Sequence, residues 1–262
     1  MSESTPSTRR FRLTIAYDGR PYRGWQSQAG GETVQDVVLA TCRSICPEAS
    51  TVQGAGRTDA GVSAEGQVAH FDVPAGWSME AEHWFRALNT KLPATIRVME
   101  CAEAPPTFHS RFSRGEKVYR YRIFTGPVLP PLLAGLAWHR RHAIPMDEIA
   151  EWIRVFEGRH DFKAFSSKRR DGHEGPRDTF RTIHATAVSS DAPHQLDLRF
   201  RGSGFLYKMV RFLVGSAVYG IQGKLDLEEI RDLLADPASG RKAPCCAPPD
   251  GLTLERVIYE TD

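Results

Sequence analysis

Residues 11–18 read Phe-Arg-Leu-Thr-Ile-Ala-Tyr-Asp, and large apolar residues alternate with polar or small ones along the whole stretch. This period of two predicts a β-strand that buries one of its faces. Residues 19–21, Gly-Arg-Pro, break the pattern and predict the end of the strand. This strand is the first predicted element, and the other elements follow it in chain order.

The first half of the chain continues as helix, strand, strand, helix and strand. Thr33 to Asp36 has the pattern of a capping box, and Ser78 stands where a second helix would be capped. The predicted elements are a helix opening at Thr33, strands at 51–57 and 67–73, a helix at 79–89 and a strand at 96–101. Together with the first strand they give the order βαββαβ.

The second half repeats this order. Its predicted elements are a strand at 117–124, a helix at 147–158, strands at 180–188 and 195–201, helices at 205–221 and 226–235, and a strand at 254–259. Segment 205–221 is apolar nearly all round, which predicts a buried helix.

Two βαββαβ units predict an α+β protein with two ferredoxin-like (RRM-like) subdomains and mainly antiparallel sheets. We expect a disordered tail at 1–10, an N-terminal subdomain at 11–105 and a C-terminal subdomain at 106–262.

Composition places the chain among ordinary globular proteins. It has 262 residues, of which 41% are hydrophobic and 25% charged, and no stretch has the apolar length of a membrane span. The polar start lacks the apolar core of a signal peptide, so we expect a cytoplasmic protein without membrane contact. Five scattered cysteines argue against a disulfide framework and do not complete a zinc site, so no metal site is expected.

Basic residues are grouped although the formal net charge is only +2. Segment 107–122 contains five Lys or Arg residues against the single acid Glu116, and further basic groups lie at 168–170 and 199–211. Such segregation is typical of a face that binds a polyanion. Solvated strands and loops explain the charge pattern equally well.

The segment with the most chemical content is residues 54–62, Gly-Ala-Gly-Arg-Thr-Asp-Ala-Gly-Val. Its small residues allow a backbone to approach a ligand closely. Arg57 and Asp59 are two residues apart, so on an extended segment they project to the same side and can form an ion pair that keeps the carboxylate charged. A glycine-rich turn with a local ion pair is the alternative, and composition alone favours it.

The pattern from Gly56 to Val62 closely resembles the signature of the TruA family of tRNA pseudouridine synthases. Further matching motifs follow in the family's order over nearly the whole chain: Tyr17-Asp18-Gly19, Gly24-Trp25-Gln26, Val34-Gln35, Gly66-Gln67-Val68, His70-Phe71, Asn89, Leu92-Pro93, Phe108-His109, Arg111-Phe112, Tyr119-Arg120-Tyr121, Phe162, Phe165, Met209-Val210-Arg211, Val214-Gly215, Ala247-Pro248 and Gly251-Leu252. Ser63 departs from the family, which commonly has histidine there, and the basic stretch 166–176 matches no firm pattern.

The resemblance implies the pseudouridine synthase fold with a central basic cleft and the isomerisation of uridine to pseudouridine in tRNA, a reaction that needs no small-molecule cofactor. It also implies a homodimer, and targets at positions 38, 39 and 40 of the anticodon arm. Asp59 would be the catalytic carboxylate, acting either as a nucleophile at C1′ or as a base at C2′.

The resemblance assigns roles to other residues as well. Arg57 would fill the gap left by the flipped base, and Tyr119 would stack on the uracil and take part in proton transfer. A core tyrosine is the alternative for Tyr119. Arg211 lies on an apolar helix, where a buried arginine needs an anionic partner, and Asp59 is the expected one. The residues expected to bind the substrate are Tyr119, Lys208, Leu252, Arg111 and Phe205.

Other functions are less well supported by the residues. A non-catalytic RNA-binding protein with tandem ferredoxin-like modules would not need Asp59 among its glycines. A zinc-dependent base deaminase requires His-x-Glu and Pro-Cys-x-x-Cys motifs, neither of which occurs. A phosphatase that used Asp59 as its nucleophile would need nearby metal ligands, and the sequence offers none.

Overall fold

The computed structural model of the protein describes residues 8–167 and 178–260. The chain divides into two compact units, one formed by Met1–Gly115 with Leu254–Asp262 and the other by Glu116–Thr253. Within the described residues, strands pair mostly in antiparallel fashion and are combined with five α-helices. The predicted α+β class with mainly antiparallel sheets is therefore confirmed. The expected subdomain limits, 11–105 and 106–262, remain a proposal.

The first unit has the predicted order βαββαβ. Its elements are β1 (Thr8–Tyr17), α1 (Val34–Arg43), β2 (Gln53–Gly54), β3 (Ser63–Pro74), α2 (Ala81–Lys91) and β4 (Ile96–Ala104). Strand β1 lies between β4 and β3 and is antiparallel to both, while β2 pairs with β3. Strand order and helix order thus agree with a ferredoxin-like unit.

The core of the first unit forms where the buried face of β1 meets the helices. Phe11, Leu13 and Ile15 are completely buried, as the alternating pattern predicts. The ring of Phe71 lies 4.9 Å from that of Trp84 on α2 and 5.7 Å from that of Phe11, measured between centroids. These aromatic contacts fix α2 against the sheet.

Local signals at the element ends were predicted with mixed success. Thr33 caps α1 as expected, since its side chain accepts a hydrogen bond from the Asp36 amide. The cap of α2 is Glu80, which makes no side-chain capping bond, so the prediction of Ser78 was wrong. Strand β1 begins at Thr8 rather than at residue 11, because Arg10 pairs with Asp72 of β3 and extends the ladder.

The second unit contains most of the remaining elements. They are β5 (Gly115–Phe124), β6 (Trp138–His139), α3 (Met146–Arg154), β7 (Gly158–Asp161), β8 (Phe180–Ser189), β9 (Gln195–Gly202), α4 (Met209–Ile221) and α5 (Leu227–Ala235). The strands follow the order β5-β9-β8-β7 with antiparallel pairing, which confirms the predicted hairpin of β8 and β9. The last strand, β10 (Leu252–Tyr259), has its residues from Leu254 onward in the first unit.

Helix α4 is the buried helix that the sequence predicts, but it is shorter. It begins at Met209 instead of residue 205, because Lys208 has a φ angle of +62° that no α-helix accommodates. Gly220 lets α4 approach α3, since a Cβ atom at this position would lie 2.2 Å from the Trp152 ring. Nine of its residues are buried, in agreement with its apolar sequence.

Two expectations concern parts of the chain that the structure covers only partly. Most of the disordered tail expected at 1–10 and of the basic segment 166–176 lies outside the described residues. Among the residues that are described, no helix is long and apolar enough to span a membrane.

His70 on β3 generates a prediction about stability and pH. Its side chain is 3% exposed, and its Nδ1 accepts a hydrogen bond from the Ser110 amide at 3.2 Å, which requires that nitrogen to be unprotonated. Burial, followed by the charge of Arg10, lowers the pKa of His70 to about 4. The unfolded chain therefore binds the proton first as pH falls, and the contribution of His70 to stability decreases below about pH 6.5.

We expect the free energy of unfolding of the wild type to fall by about 3 kcal/mol more than that of His70→Gln between pH 7.5 and pH 4, since one pKa unit corresponds to about 1.4 kcal/mol. Urea denaturation at both pH values measures this difference. An NMR titration that placed the His70 pKa near 6.5 would contradict the account.

Candidate active site

Asp59 lies in the loop that connects β2 to β3 in the first unit, and its side chain is half-buried. The loop is a tight turn at this point, because the Val62 amide donates to the Asp59 carbonyl at 3.1 Å and Gly61 has a φ angle of +79°. Strand β2 ends at Gly54, so the prediction that the strand extends to residue 57 was wrong. Asp59 is thus presented by a turn and not by a strand.

Hydrogen bonds on both sides of Asp59 fix this loop. The hydroxyls of Tyr17 and Thr58 form a buried hydrogen bond of 2.8 Å, and the Trp25 amide donates to the Thr58 carbonyl at 3.1 Å. On the other side, Gln67 is fully buried and its Nε2 donates to the Gly56 carbonyl at 2.8 Å. Burial raises the pKa of Tyr17 well above its ordinary value, so this hydroxyl stays neutral at physiological pH.

The segment that precedes α1 packs against the loop so closely that only glycine fits. A Cβ atom on Gly24 would lie 2.6 Å from the Thr58 carbonyl oxygen, and one on Gly19 would lie 2.0 Å from that of Val62. Gly24 also has a φ angle of +90°, which other residues rarely adopt. Ser63, where the family commonly has histidine, contributes here because its Oγ accepts a hydrogen bond from the Gly19 amide.

Arg57 is half-buried in the same loop, two residues before Asp59. The ion pair expected between these two side chains stays a prediction. Arg111 lies on a different turn of the first unit and is exposed. The Oγ of the neighbouring Ser110 donates a hydrogen bond to the carbonyl of Gln53 at 2.7 Å. This bond attaches the turn that carries Arg111 to β2, the strand that precedes the Asp59 loop.

The second unit brings two of the predicted residues together. Tyr119 on β5 is 7% exposed, and its ring contacts that of Phe205 edge to face with centroids 5.1 Å apart. Phe205 precedes α4 and is half-buried. This edge-to-face contact holds the Tyr119 ring in place against Phe205.

Arg211 on α4 is half-buried instead of buried. Its Nε donates to the carbonyl of Ala247 at 2.7 Å, and the Ala247 amide donates back to the Arg211 carbonyl at 3.0 Å. Gly215 allows this close approach, because a Cβ atom there would lie 2.3 Å from the Cys245 carbonyl oxygen. The argument that a buried arginine needs an anionic partner therefore does not hold here, and its pairing with Asp59 remains a proposal.

The two remaining candidates of the second unit have different surroundings. Lys208 is half-buried with its Nζ 5.2 Å from the centroid of the Tyr207 ring. Leu252 is 7% exposed, and its amide donates to the Pro249 carbonyl at 3.0 Å. Gly251 positions this segment, because a Cβ atom there would lie 2.4 Å from the Arg122 carbonyl oxygen.

Sequence reasoning did not single out the residues that hold the Asp59 loop. The alternation along β1 identifies Tyr17 only as one more apolar residue, and Gln67 stands out only as part of a matching motif. The motifs around Tyr17, Gly24 and Gln67 did carry a signal, since each was among the matches to the family. Among the described residues, no group of three or more His, Cys, Asp or Glu side chains could hold a metal ion.

Each unit holds side chains of the kinds that enzymes use in acid–base or nucleophilic catalysis. The first unit has the half-buried carboxylate of Asp59, and the second has the buried Tyr119.

Comparison with known proteins gives the family. The sequence model described as tRNA pseudouridine synthase matches residues 13–113 and 153–260. Proteins named tRNA pseudouridine synthase A are similar over most of the chain. The one from Akkermansia muciniphila is 48% identical over 95% of each chain. That from Geobacillus kaustophilus is 40% identical over 97% of this chain and 96% of its own length. The protein from Syntrophotalea carbinolica is 39% identical over 95% of both chains. The chain belongs to the tRNA pseudouridine synthase family.

One solved structure resembles the chain distantly. A chain of a Cbf5-Nop10-Gar1 complex aligns with 79% of this chain at 13% identity and a TM-score of 0.39. This chain spans 44% of the length of that protein. The family assignment is therefore based on the sequence relationships alone.

The close packing at Gly24 generates a prediction. Gly24→Ala introduces a Cβ atom 2.6 Å from the Thr58 carbonyl oxygen, so we expect the Asp59 loop to shift and turnover to fall at least tenfold. Gly31→Ala is the matched control, because Gly31 also has a positive φ of 71° but no atom within 4 Å of the added Cβ. Equal turnover in the two variants, measured as product formed per enzyme under saturating tRNA, would contradict the assigned role of the loop.

Proposed function

We propose that this protein converts uridine to pseudouridine in tRNA and that Asp59 is its catalytic carboxylate. The single observation that carries the proposal is the presentation of Asp59 on a half-buried loop that is held from both sides by Tyr17, Trp25 and Gln67. A carboxylate that must meet one sugar carbon gains rate from such fixed placement. Membership in the family supports the same reaction.

The reaction rearranges bonds within one nucleotide and needs no redox step. The N-glycosidic bond between N1 and C1′ breaks, the uracil turns, and a C5–C1′ bond forms. C5 then loses its proton and N1 gains one, so the product is an isomer of uridine. Asp59 supports this chemistry either by attack on C1′ or by removal of a proton from C2′. The target base cannot be reached inside a stacked stem, so it must be flipped out of the RNA.

The other candidates take supporting roles in this proposal. Arg57 fills the space left by the flipped base and pairs with Asp59, and Arg211 adds positive charge next to the carboxylate. Tyr119 stacks on the uracil and moves the C5 proton, which its contact with Phe205 supports by holding the ring in place. The remaining candidates bind the RNA or form the wall of the pocket. They are Lys208, Leu252, Arg111 and Phe205.

The finer properties of the substrate and assembly are also proposals. We propose uridines at positions 38, 39 and 40 of the anticodon arm as targets, a homodimer that contacts one tRNA with both subunits, and a cytoplasmic location. The targets, the homodimer and the central basic cleft that would receive the RNA are based on the family resemblance. Neither a membrane nor a small-molecule cofactor has a part in the proposal.

A non-catalytic RNA-binding protein is the competing function. Such a protein would bind RNA through basic and aromatic residues, and a carboxylate near the RNA would weaken binding. The loop that carries Asp59 is held in place by close packing against Gly19 and Gly24, where no side chain fits. Such fixed placement of an acidic residue favours the catalytic function.

Replacement of Asp59 separates these functions. We expect Asp59→Asn to bind tRNA with wild-type affinity or better and to lose turnover by at least about a thousandfold, because the amide can neither attack C1′ nor accept a proton. Release of tritium from tRNA that carries 5-tritiated uridine measures the reaction directly. Asp191→Asn, on an exposed turn of the second unit, is the control and should release tritium at the wild-type rate. An active Asp59→Asn variant would exclude the proposed mechanism.

Tyr119 gives a second test of the chemistry. Tyr119→Phe keeps the ring that packs against Phe205 but removes the hydroxyl. If this hydroxyl moves the C5 proton, tritium release slows about a hundredfold or more while the affinity for tRNA changes less than about threefold. Tyr219→Phe on α4 is the control for loss of a hydroxyl elsewhere in the same unit. Unchanged tritium release by Tyr119→Phe would restrict this residue to stacking.

A further inference from the structure

Phe112 presents a large apolar ring to solvent although the turn around it is well ordered by hydrogen bonds. The side chain is 72% exposed. The amides of Phe112 and Ser113 both donate to the carbonyl of His109, at 3.1 and 2.8 Å, and the His109 amide donates to the Ser113 Oγ at 2.9 Å. The ring is therefore held outward by a closed turn.

The turn is also anchored from below. Ser110 is 2% exposed, and its carbonyl accepts a hydrogen bond of 2.6 Å from the Tyr259 hydroxyl. The Ser110 Oγ donates to the Gln53 carbonyl, and its amide donates to His70 Nδ1. Moving Phe112 inward would break these buried hydrogen bonds, so its exposure is a fixed property of the fold.

The surroundings of the ring are aromatic and basic. The His109 imidazole lies 4.4 Å from the Phe112 ring between centroids, and the guanidinium carbon of Arg111 lies 5.5 Å from the same centroid. Burial, followed by the charge of Arg10, lowers the pKa of His109, so its imidazole is uncharged at neutral pH. Arg114 is exposed two residues farther along. A flat ring beside two arginines matches a base joined to a phosphate.

We propose that Phe112 is a stacking platform for an unpaired base of the tRNA, with the guanidinium groups of Arg111 and Arg114 beside the adjoining phosphates. The inference deepens the proposed function, on which it rests, by naming a contact for single-stranded RNA. If the ring bound a protein partner, further exposed apolar residues would be expected around it. The exposed neighbours of Phe112 in the turn are arginines instead, and their charge favours RNA.

Substitutions at Phe112 distinguish stacking from simple apolar contact. Phe112→Ala and Phe112→Leu should weaken tRNA binding about 5- to 150-fold, the range expected for loss of one base–aromatic stack, while Phe112→Tyr and Phe112→Trp stay within about threefold. Met99→Ala is the matched control, because Met99 is also an exposed apolar residue of the first unit, at 54%. Binding of Phe112→Leu at wild-type affinity would overturn the proposal.

Fluorescence of Phe112→Trp provides a direct reading of the stack. The variant and the wild type share the five native tryptophans, so the difference between their emission spectra comes from the indole introduced at position 112. We expect this difference signal to be quenched when tRNA is added. An unquenched difference signal at saturating tRNA contradicts stacking. A change in oligomeric state of Phe112→Ala without a change in tRNA affinity would assign the ring to a protein contact and overturn the proposal as well.

The two proposals fail in distinguishable ways. Tritium release by wild type together with unaffected binding by the Phe112 variants would remove the stacking platform and leave the reaction in place. Absence of tritium release by wild type would remove the reaction, while loss of affinity in Phe112→Leu would still establish the stack on RNA.

Discussion

The buried hydrogen bond between the hydroxyls of Tyr17 and Thr58 is the interaction on which the candidate site depends. It joins the end of β1 to the residue immediately before Asp59. Because both hydroxyls are out of water, loss of either partner would leave the other unsatisfied at a cost of about 1–3 kcal/mol. Gly24 admits the backbone of the loop at close range, since a Cβ atom there would lie 2.6 Å from the Thr58 carbonyl oxygen. The loop that carries Asp59 is thereby held by uncharged hydroxyl and backbone groups.

A comparable device recurs in the second unit. There the backbone of Ala247 is bonded in both directions to Arg211, and Gly215 removes the side chain that would keep the segment away from α4. The segment leads to Leu252, whose position is set by Gly251. In both units, glycine allows a loop to pack against a rigid element, and hydrogen bonds to backbone carbonyls then hold that loop in place. The positions of the candidate side chains are thus set by the packing of the backbone.

Much of the fold could be predicted from periodicity, and the exceptions have physical causes. The alternation of Phe11, Leu13 and Ile15 correctly predicted β1 and its buried face. An apolar run correctly predicted α4 but not its start, since the positive φ of Lys208 has no signature in hydrophobicity. The same limit applies to Arg211, whose carbonyl partner is 36 residues away. Asp59 was identified by resemblance, whereas its support by Tyr17 and Gln67 depends on tertiary contacts that no local pattern reveals.

Amide hydrogen exchange at Trp25 tests most directly whether the Asp59 loop is fixed as described. Its amide donates to the Thr58 carbonyl, so its exchange reports the opening of the loop from the segment that holds it. The account predicts that Trp25 exchanges nearly as slowly as Leu13 in the core strand, and that Tyr17→Phe accelerates Trp25 far more than Leu13. Exchange of the Trp25 amide at the rate of the exposed Gly30 in the wild type would contradict the account.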